Sequence, residues 1–332
     1  MLAPRIRLAA IVESHLGGAS VQKLSLALEY FHPWPNSAGF YVARERGWYA
    51  QAGIDLELRV VDHGRGDALA HLDLREVDLG IFPSNRLLVR REVGQDLVAI
   101  AAINQRGLET VRTRGDSGIR RLRDLEGRRI AYNPTPRGTA VVRSLIEGDG
   151  GNPDNYVIVD AGVRELDPAD SFAGLADATF GSYWAWDNLL TTFPAESELV
   201  WKVDEVLGVR YHSYLLGGRG DFVAREPGLL ATFLAVTARG FAAAAEDQEH
   251  AAVVFERVTP YFPPGVIRRS IAAIAPTWFE DGVWGVVRDD LVGPYAHWLA
   301  GHGILTRPEN WSEAIVRLPD AETAESADRA SA

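Results

Sequence analysis

Five aromatic side chains, Tyr30, Trp34, Tyr183, Trp184 and Trp186, fall in two short stretches, and a carboxylate, Asp187, closes the second. Flat faces of this kind stack on a planar heteroaromatic ring, each offset pair contributing about 0.5 to 1.5 kcal/mol beyond the area it buries. A carboxylate beside them can accept from an exocyclic amine and a protonated ring nitrogen, a charge-assisted contact of roughly 1.5 to 3 kcal/mol. Asp187 is the candidate for that role, the alternatives being a cap on the following turn or an ion pair with an arginine. Trp184 and Trp186 stand two residues apart and would point to different faces of a helix, so one of the pair can belong to the core. Tyr30 and Trp34 lie in a proline-rich loop, where a core role is harder to arrange.

Polar partners for such a ring are available nearby. Asn36 brings one donor and one acceptor, and competes for the role of N-cap to the helix expected from Ala38. At a later strand end, Phe82 is followed by Pro83 and then by Ser84 and Asn85, which complete the hydrogen-bonding inventory. The turn Pro134-Thr135-Pro136-Arg137-Gly138-Thr139 runs from a strand into a helix, a setting whose backbone N–H groups hold an anion or a carbonyl. Arg137 adds a guanidinium fork, unless this is a plain proline-set turn with a surface arginine. His212 lies between Tyr211 and Ser213 and can reach a cleft, although a satisfied structural histidine is the commoner outcome.

Composition closes off other chemistry. Cysteine is absent, so disulfides, thiolate metal sites and cysteine nucleophiles are excluded. Lysine occurs only at Lys23 and Lys202, which leaves little for Schiff-base catalysis. The formal charge of -11 supplies no positive field for nucleic acid. There is no Walker sequence, no complete Gly-x-Gly-x-x-Gly and no His-Glu-x-x-His, and neither a metal nor a cofactor is expected. Arg219-Gly220-Asp221 and the sequon at Asn310 are short enough to arise by chance.

The elements that must position these residues follow from apolar periodicity. Strands are expected at 24–28, 54–61, 77–81 and 97–103, with helices at 38–52, 67–74 and 84–93 between them. From near Arg112 a second unit is expected, with strands at 129–133, 156–159, 178–181 and 199–203 and helices at 138–147 and 168–175. A strand at 211–216 then leads back, and helices at 229–245, 248–257, 264–274 and 285–300 close the chain. Strands alternating with helices imply right-handed crossovers and mostly parallel sheets, hence an α/β fold of two lobes. Lobe 1 is expected to be discontinuous, 21–111 with 205–318, and lobe 2 to span 112–204, so two crossings form a hinge beside a ligand cleft. Loops 30–38 and 82–85, the hinge near Asn104 and Gln105, turn 134–139 and segment 183–187 should all face that cleft. Residues 1–20 read as a degenerate signal or as translated upstream sequence, since Glu13 ends the apolar run Leu8 to Val12, and 319–332 as a disordered tail.

Three stretches resemble a known family. The run from Glu29 to Tyr49, followed by Ala52-Gly53-Ile54-Asp55-Leu56, resembles the opening of the pyrimidine-precursor-synthesis and sulfonate-binding superfamily. Ser117 to Tyr132, with Leu122-Arg123-Asp124-Leu125-Glu126-Gly127, is similar to the start of the second lobe of type II periplasmic binding proteins. Gly181-Ser182-Tyr183-Trp184-Ala185-Trp186-Asp187, with Leu207-Gly208-Val209 and Tyr211 beyond it, resembles the segment that binds formylaminopyrimidine or hydroxymethylpyrimidine precursors of thiamine. Those proteins usually carry Glu where this chain has Asp187, one methylene shorter. The resemblance implies a type II periplasmic-binding-protein fold and a monomeric solute-binding protein. Its partners would be a small heteroaromatic ligand and the permease of an ABC importer, and its setting extracytoplasmic.

An enzyme on the same fold is the main rival. Related pyrimidine-precursor synthases use a Lys and a His that are missing at Phe82-Pro83-Ser84-Asn85-Arg86, and the sulfinate-cleaving relatives need a cysteine. A hydrolase built on Asp187 and His212 stays open, as does a cytoplasmic ligand sensor or carrier.

Overall fold

Strand Gln22–Ala27 (β1) buries Leu24 and Leu26, and Ile54–Arg59 (β2) turns Ile54 and Leu56 inward while Asp55 and Glu57 face solvent, the alternation of a strand with one wet face. Leu79–Pro83 (β3) and Leu97–Ala102 (β4) are apolar on both faces. The computed structural model describes residues 21–162, 174–190 and 197–318. The expected N-terminal extension and tail therefore lie outside it, as does most of the expected helix 168–175.

Two five-stranded sheets form the frame. The first has the order β2-β1-β3-β10-β4, where Tyr214–Arg219 (β10) runs antiparallel between β3 and β4. Its strands come from both ends of the chain. Gly217 in β10 sits at a register shift, and a Cβ there would stand 1.9 Å from the Val98 carbonyl oxygen, so only glycine fits. The second sheet comprises Glu109–Arg114 (β5), Arg129–Tyr132 (β6), Val157–Asp160 (β7), Ala178–Tyr183 (β8) and Glu198–Lys202 (β9), in the order β7-β6-β8-β5-β9. The chain thus passes from one sheet to the other after β4 and returns after β9.

The helix expected over 38–52 is in fact two, Ala38–Glu45 (α1) and Trp48–Gln51 (α2), because Gly47 turns the chain at φ 70°. Ala68–Asp73 (α3) is N-capped by Asp67, whose side chain accepts from Ala70 N–H. Ser84–Glu92 (α4) leaves β3 directly, and Pro136–Gly148 (α5) starts after β6 with Pro at its first turn and Thr135 as cap. The expected helix 285–300 begins only at Asp289; before it, Phe279–Glu280 and Val283–Trp284 pair across a turn at Asp281 and Gly282. Strand β5 carries three charged residues and was not expected.

Pro227–Glu246 is long and apolar enough to cross a membrane by length and composition. Here Leu230, Phe233 and Phe241 are fully buried in one core with Leu24 and Leu26 of β1. The helix also lies tight against α1: a Cβ on Gly240 would stand 2.2 Å from the Gly39 carbonyl oxygen. These contacts identify it as a core helix of the first sheet.

Candidate functional site

Both sheets contribute to one cavity of about 600 Å³, at the ends of β3 and β6 where the chain turns into α4 and α5. Asp67, Asn85, Arg86 and Arg90 line it from the α3 and α4 side, and Ser213 and Tyr214 from the start of β10. Glu109, Asn133, Arg137, Gly138 and Tyr183 line it from the second sheet.

Arg137 is the hub of this wall. Its two terminal nitrogens donate to Glu109 Oε1 and Oε2 at 2.6 and 2.5 Å, and its Nε donates to Tyr295 Oη at 2.7 Å. Tyr211 Oη donates to Glu109 Oε2 at 2.6 Å, and the Tyr211 ring stacks on Tyr295 at 4.6 Å. Burial opposes the Arg137 charge, but Glu109, with Tyr295 and Tyr211, holds the guanidinium well above its ordinary pKa. Burial and the Glu109 charge push Tyr211 up, so its hydroxyl remains a donor. Arg137 and Glu109 belong to elements of the second sheet, Tyr295 to the helix Asp289–Gly301 and Tyr211 to the return segment, so the cluster ties the two halves together.

Next to it stands an aromatic wall. Tyr183 stacks on Trp34 at 5.6 Å and receives a hydrogen bond from Tyr214 Oη at 2.8 Å. Behind Trp34 lies Glu29, 9% exposed, which accepts from Trp34 Nε1, from Asn36 Nδ2 at 3.3 Å and from Ser37 Oγ at 3.2 Å. Burial pushes the Glu29 carboxyl up to about 7, the hydrogen bonds from Trp34, Asn36 and Ser37 only partly opposing it. Asn36 and Asn104 exchange side-chain hydrogen bonds at 3.1 and 2.8 Å, and Trp278 Nε1 donates to Asn36 Oδ1 at 3.2 Å.

The family model described as NMT1/THI5 like matches residues 34–251, well over half the chain. This chain belongs to the NMT1/THI5-like family. It is similar to the formylaminopyrimidine-binding protein of Halalkalibacterium halodurans, 24% identical over 152 residues, a match spanning 45% of each chain and so under half the length of that relative. Among solved structures, the periplasmic aliphatic sulphonate binding protein SsuA from Escherichia coli superposes with a TM-score of 0.70 at 14% identity, over 90% of this chain and 93% of that one. The desulfurization enzyme DszB gives 0.63 at 15% identity, over 92% and 99%. The fold is that of the type II periplasmic binding proteins, as the resemblance implied.

Of the residues singled out from the sequence of this family member, Asn85, Arg137, Gly138 and Tyr183 line the cavity. Trp34 and Asn36 belong to the Glu29 network behind Tyr183, and Tyr30 is half-buried, 6.3 Å from the Trp34 ring. Loop 30–38 does not line this cavity; its Trp34 stacks on Tyr183, which does. Phe82 is fully buried beneath the wall, and Thr139, half-buried, accepts from Tyr132 Oη at 3.4 Å. Trp186 is buried against Phe262 and His32, whereas the Trp184 ring lies under Lys202 at 4.3 Å and Arg106 at 5.4 Å. Asp187 accepts from Tyr183 N–H at 2.9 Å, a bond to the preceding turn rather than a cap on the following one.

Ser84 and His212 form an internal brace. Ser84 Oγ donates to the His212 carbonyl at 2.6 Å, His212 Nδ1 donates to Asn104 O at 2.8 Å, and His212 Nε2 accepts from Arg288 N–H at 3.0 Å. Burial drives its pKa down to about 4, so the ring is neutral at pH 7. The cavity residues missed in the sequence include Asp67, Arg86, Arg90, Glu109, Ser213 and Tyr214. One signal was available: Arg86 and Arg90 lie four apart on α4, one helical face leaving a strand end.

Proposed function

We propose that this chain is a solute-binding protein of the ABC-import type that closes its two lobes on a thiamine pyrimidine precursor, a formylaminopyrimidine or hydroxymethylpyrimidine-like molecule. The observation that carries the reading is the cavity of about 600 Å³ walled from both sheets and lined by the Tyr183 and Tyr214 rings. Its size suits a small ring system, and a chain that binds from two sheets at once couples occupancy to closure. The family membership and the formylaminopyrimidine-binding relative support the ligand class. In the proposal the ring lies against Tyr183 and Tyr214, with Asn85 reading its polar edge, and the lobe boundaries follow the crossings at 104–112 and 203–212. Micromolar to nanomolar binding corresponds to about -8 to -12 kcal/mol, within reach of ring stacking, a few hydrogen bonds and water exclusion.

Catalysis does not enter the proposal. Both ring nitrogens of His212 are engaged with backbone groups, which argues against the hydrolase reading built on it. The partner would be a permease that recognises the closed monomer.

A thermal-shift panel of hydroxymethylpyrimidine, formylaminopyrimidine, thiamine, riboflavin, purines and alkanesulfonates, read with mass spectrometry for product, tests the reading. An aminopyrimidine is expected to raise the melting temperature unchanged by turnover, and Tyr183→Ala to abolish the rise. Stabilisation by alkanesulfonates alone, or formation of product, would overturn it.

A further inference from the structure

Resting on the binding reading above, we propose that the ligand carries an anionic substituent and that Arg86 receives it. The cavity's charges do not balance. Arg86, Arg90 and Arg137 face it with only Asp67 and Glu109, a surplus of one positive charge in a chain whose formal charge is -11. The two carboxylates are already committed. Glu109 accepts from both terminal nitrogens of Arg137 and from Tyr211, and Asp67 accepts from Ala70 N–H at 3.1 Å, Arg90 at 3.0 Å and Arg86 at 2.9 Å.

What remains is donor capacity. Arg90 is tied at both terminal nitrogens, to Asp67 and to Gln95. Among the described residues Arg86 makes a single hydrogen bond, from Nη1 to Asp67, leaving the rest of its N–H fork available to a ligand in the cavity. Its side chain is 49% exposed, so a ligand can reach it without displacing a buried ion pair. Ser213, only 8% exposed, lines the same cavity with a hydroxyl that has no hydrogen-bond partner among the described residues, and the side-chain amide of Asn85 likewise has none. Opposite Arg86, the first turn of the 13-residue helix α5 faces the cavity at Arg137 and Gly138, adding the positive end of its dipole.

An acid group between Arg86 and the start of α5 would join the two sheets by charge, while the ring to which it is attached lies on Tyr183 and Tyr214. The assigned ligand class is therefore a planar nitrogen heterocycle bearing a carboxylate, sulfonate or phosphate. A neutral pyrimidine would leave Arg86 unused.

Isothermal titration with 4-amino-2-methylpyrimidine-5-carboxylate and its carboxamide tests this, since the pair differs in charge and hardly in shape. The carboxylate is expected to bind about 10-fold or more tightly. Arg86→Gln should reduce that preference to under about 3-fold, Arg86→Lys should restore part of it, and the unliganded melting temperature of each variant reports on folding. Equal affinities, or a preference for the amide, would overturn the anionic site while leaving the pyrimidine-binding reading intact. If ethanesulfonate binds in an Arg86-dependent manner and neither pyrimidine binds, the ring assignment fails and the anion site stands. Binding by none of the three overturns both.

Discussion

Glu29, buried, and Glu109, half-buried, are both carboxylates beside the Tyr183 wall, and they are held in opposite ways. Glu29 accepts from its own backbone N–H and from the neutral side chains of Trp34, Asn36 and Ser37, which lie 5, 7 and 8 residues along the chain. Glu109 faces the Arg137 guanidinium 28 residues away and the Tyr211 hydroxyl 102 residues away, and Arg137 reaches Tyr295 at a separation of 158. The first centre gathers residues of one loop, whereas the second ties the second sheet to Tyr211 and Tyr295. Burial without a cation raises the Glu29 carboxyl to about 7, whereas at the second centre Glu109 holds the Arg137 guanidinium charged.

The largest effect is expected where the charge pair is broken. Arg137→Met leaves the half-buried Glu109 without its cation, a loss of about 3 to 5 kcal/mol in unfolding free energy by chemical denaturation. Adding Glu109→Leu should recover most of it, because two apolar groups replace the pair. A single-variant loss below about 1 kcal/mol would erase the contrast with Glu29.

The second prediction concerns the neutral centre. With its folded pKa raised to about 7 from the ordinary 4.5, Glu29 contributes stability that is complete below pH 4.5 and lost as pH rises through 7. The difference corresponds to about 3 kcal/mol. His212 has the opposite slope: its pKa falls from 6.5 to about 4, so its contribution is complete above pH 6.5 and lost as pH falls through 4. The two slopes nearly cancel in the natural chain over the shared window. Glu29→Gln should therefore lose about 3 kcal/mol more stability than the natural chain between pH 7 and pH 4.5, read from denaturation curves at each pH. Parallel pH profiles would show that Glu29 is not the neutral centre described.

The same contrast explains how far the sequence could be read. Alternation in Leu24 to Ala27 and in Ile54 to Leu58 gave strands in place, because burial there follows local periodicity. Strand β5 escaped notice since Glu109-Thr110-Val111-Arg112-Thr113-Arg114 reads as surface. Arg112 is nevertheless 4% exposed, paired with Glu198 at 2.5 Å from a strand far along the chain. The Glu29 centre was partly legible, Trp34 and Asn36 being evident as a polar-aromatic loop, although their target was an internal carboxylate. Of the second centre Arg137 and, through the resemblance, Tyr211 were visible, but not their meeting, because Glu109, Tyr211 and Tyr295 join Arg137 through topology that periodicity does not encode. Aromatic clustering pointed to Tyr183, which lines the cavity, and to Trp184 and Trp186, which the fold uses for packing, while Tyr214 lines the cavity from a strand inserted late in the chain.

The smallest effect separates closure from folding within the Glu109 centre itself. Tyr295→Phe keeps the ring that stacks on Tyr211 and removes only the acceptor for Arg137 Nε, while Glu109 still neutralises the guanidinium. One neutral acceptor is worth about 0.5 to 1.5 kcal/mol, so ligand affinity should fall by roughly 2- to 10-fold. Because the lost bond exists only with the two halves together, the penalty belongs to the closed form. Unliganded protein in its open state should melt almost as before, and small-angle scattering with saturating ligand should show a larger open fraction than in the natural chain. Equal losses in unliganded melting and in affinity would mean that the Tyr295 contact holds the fold together at all times, making the second centre as static as the first.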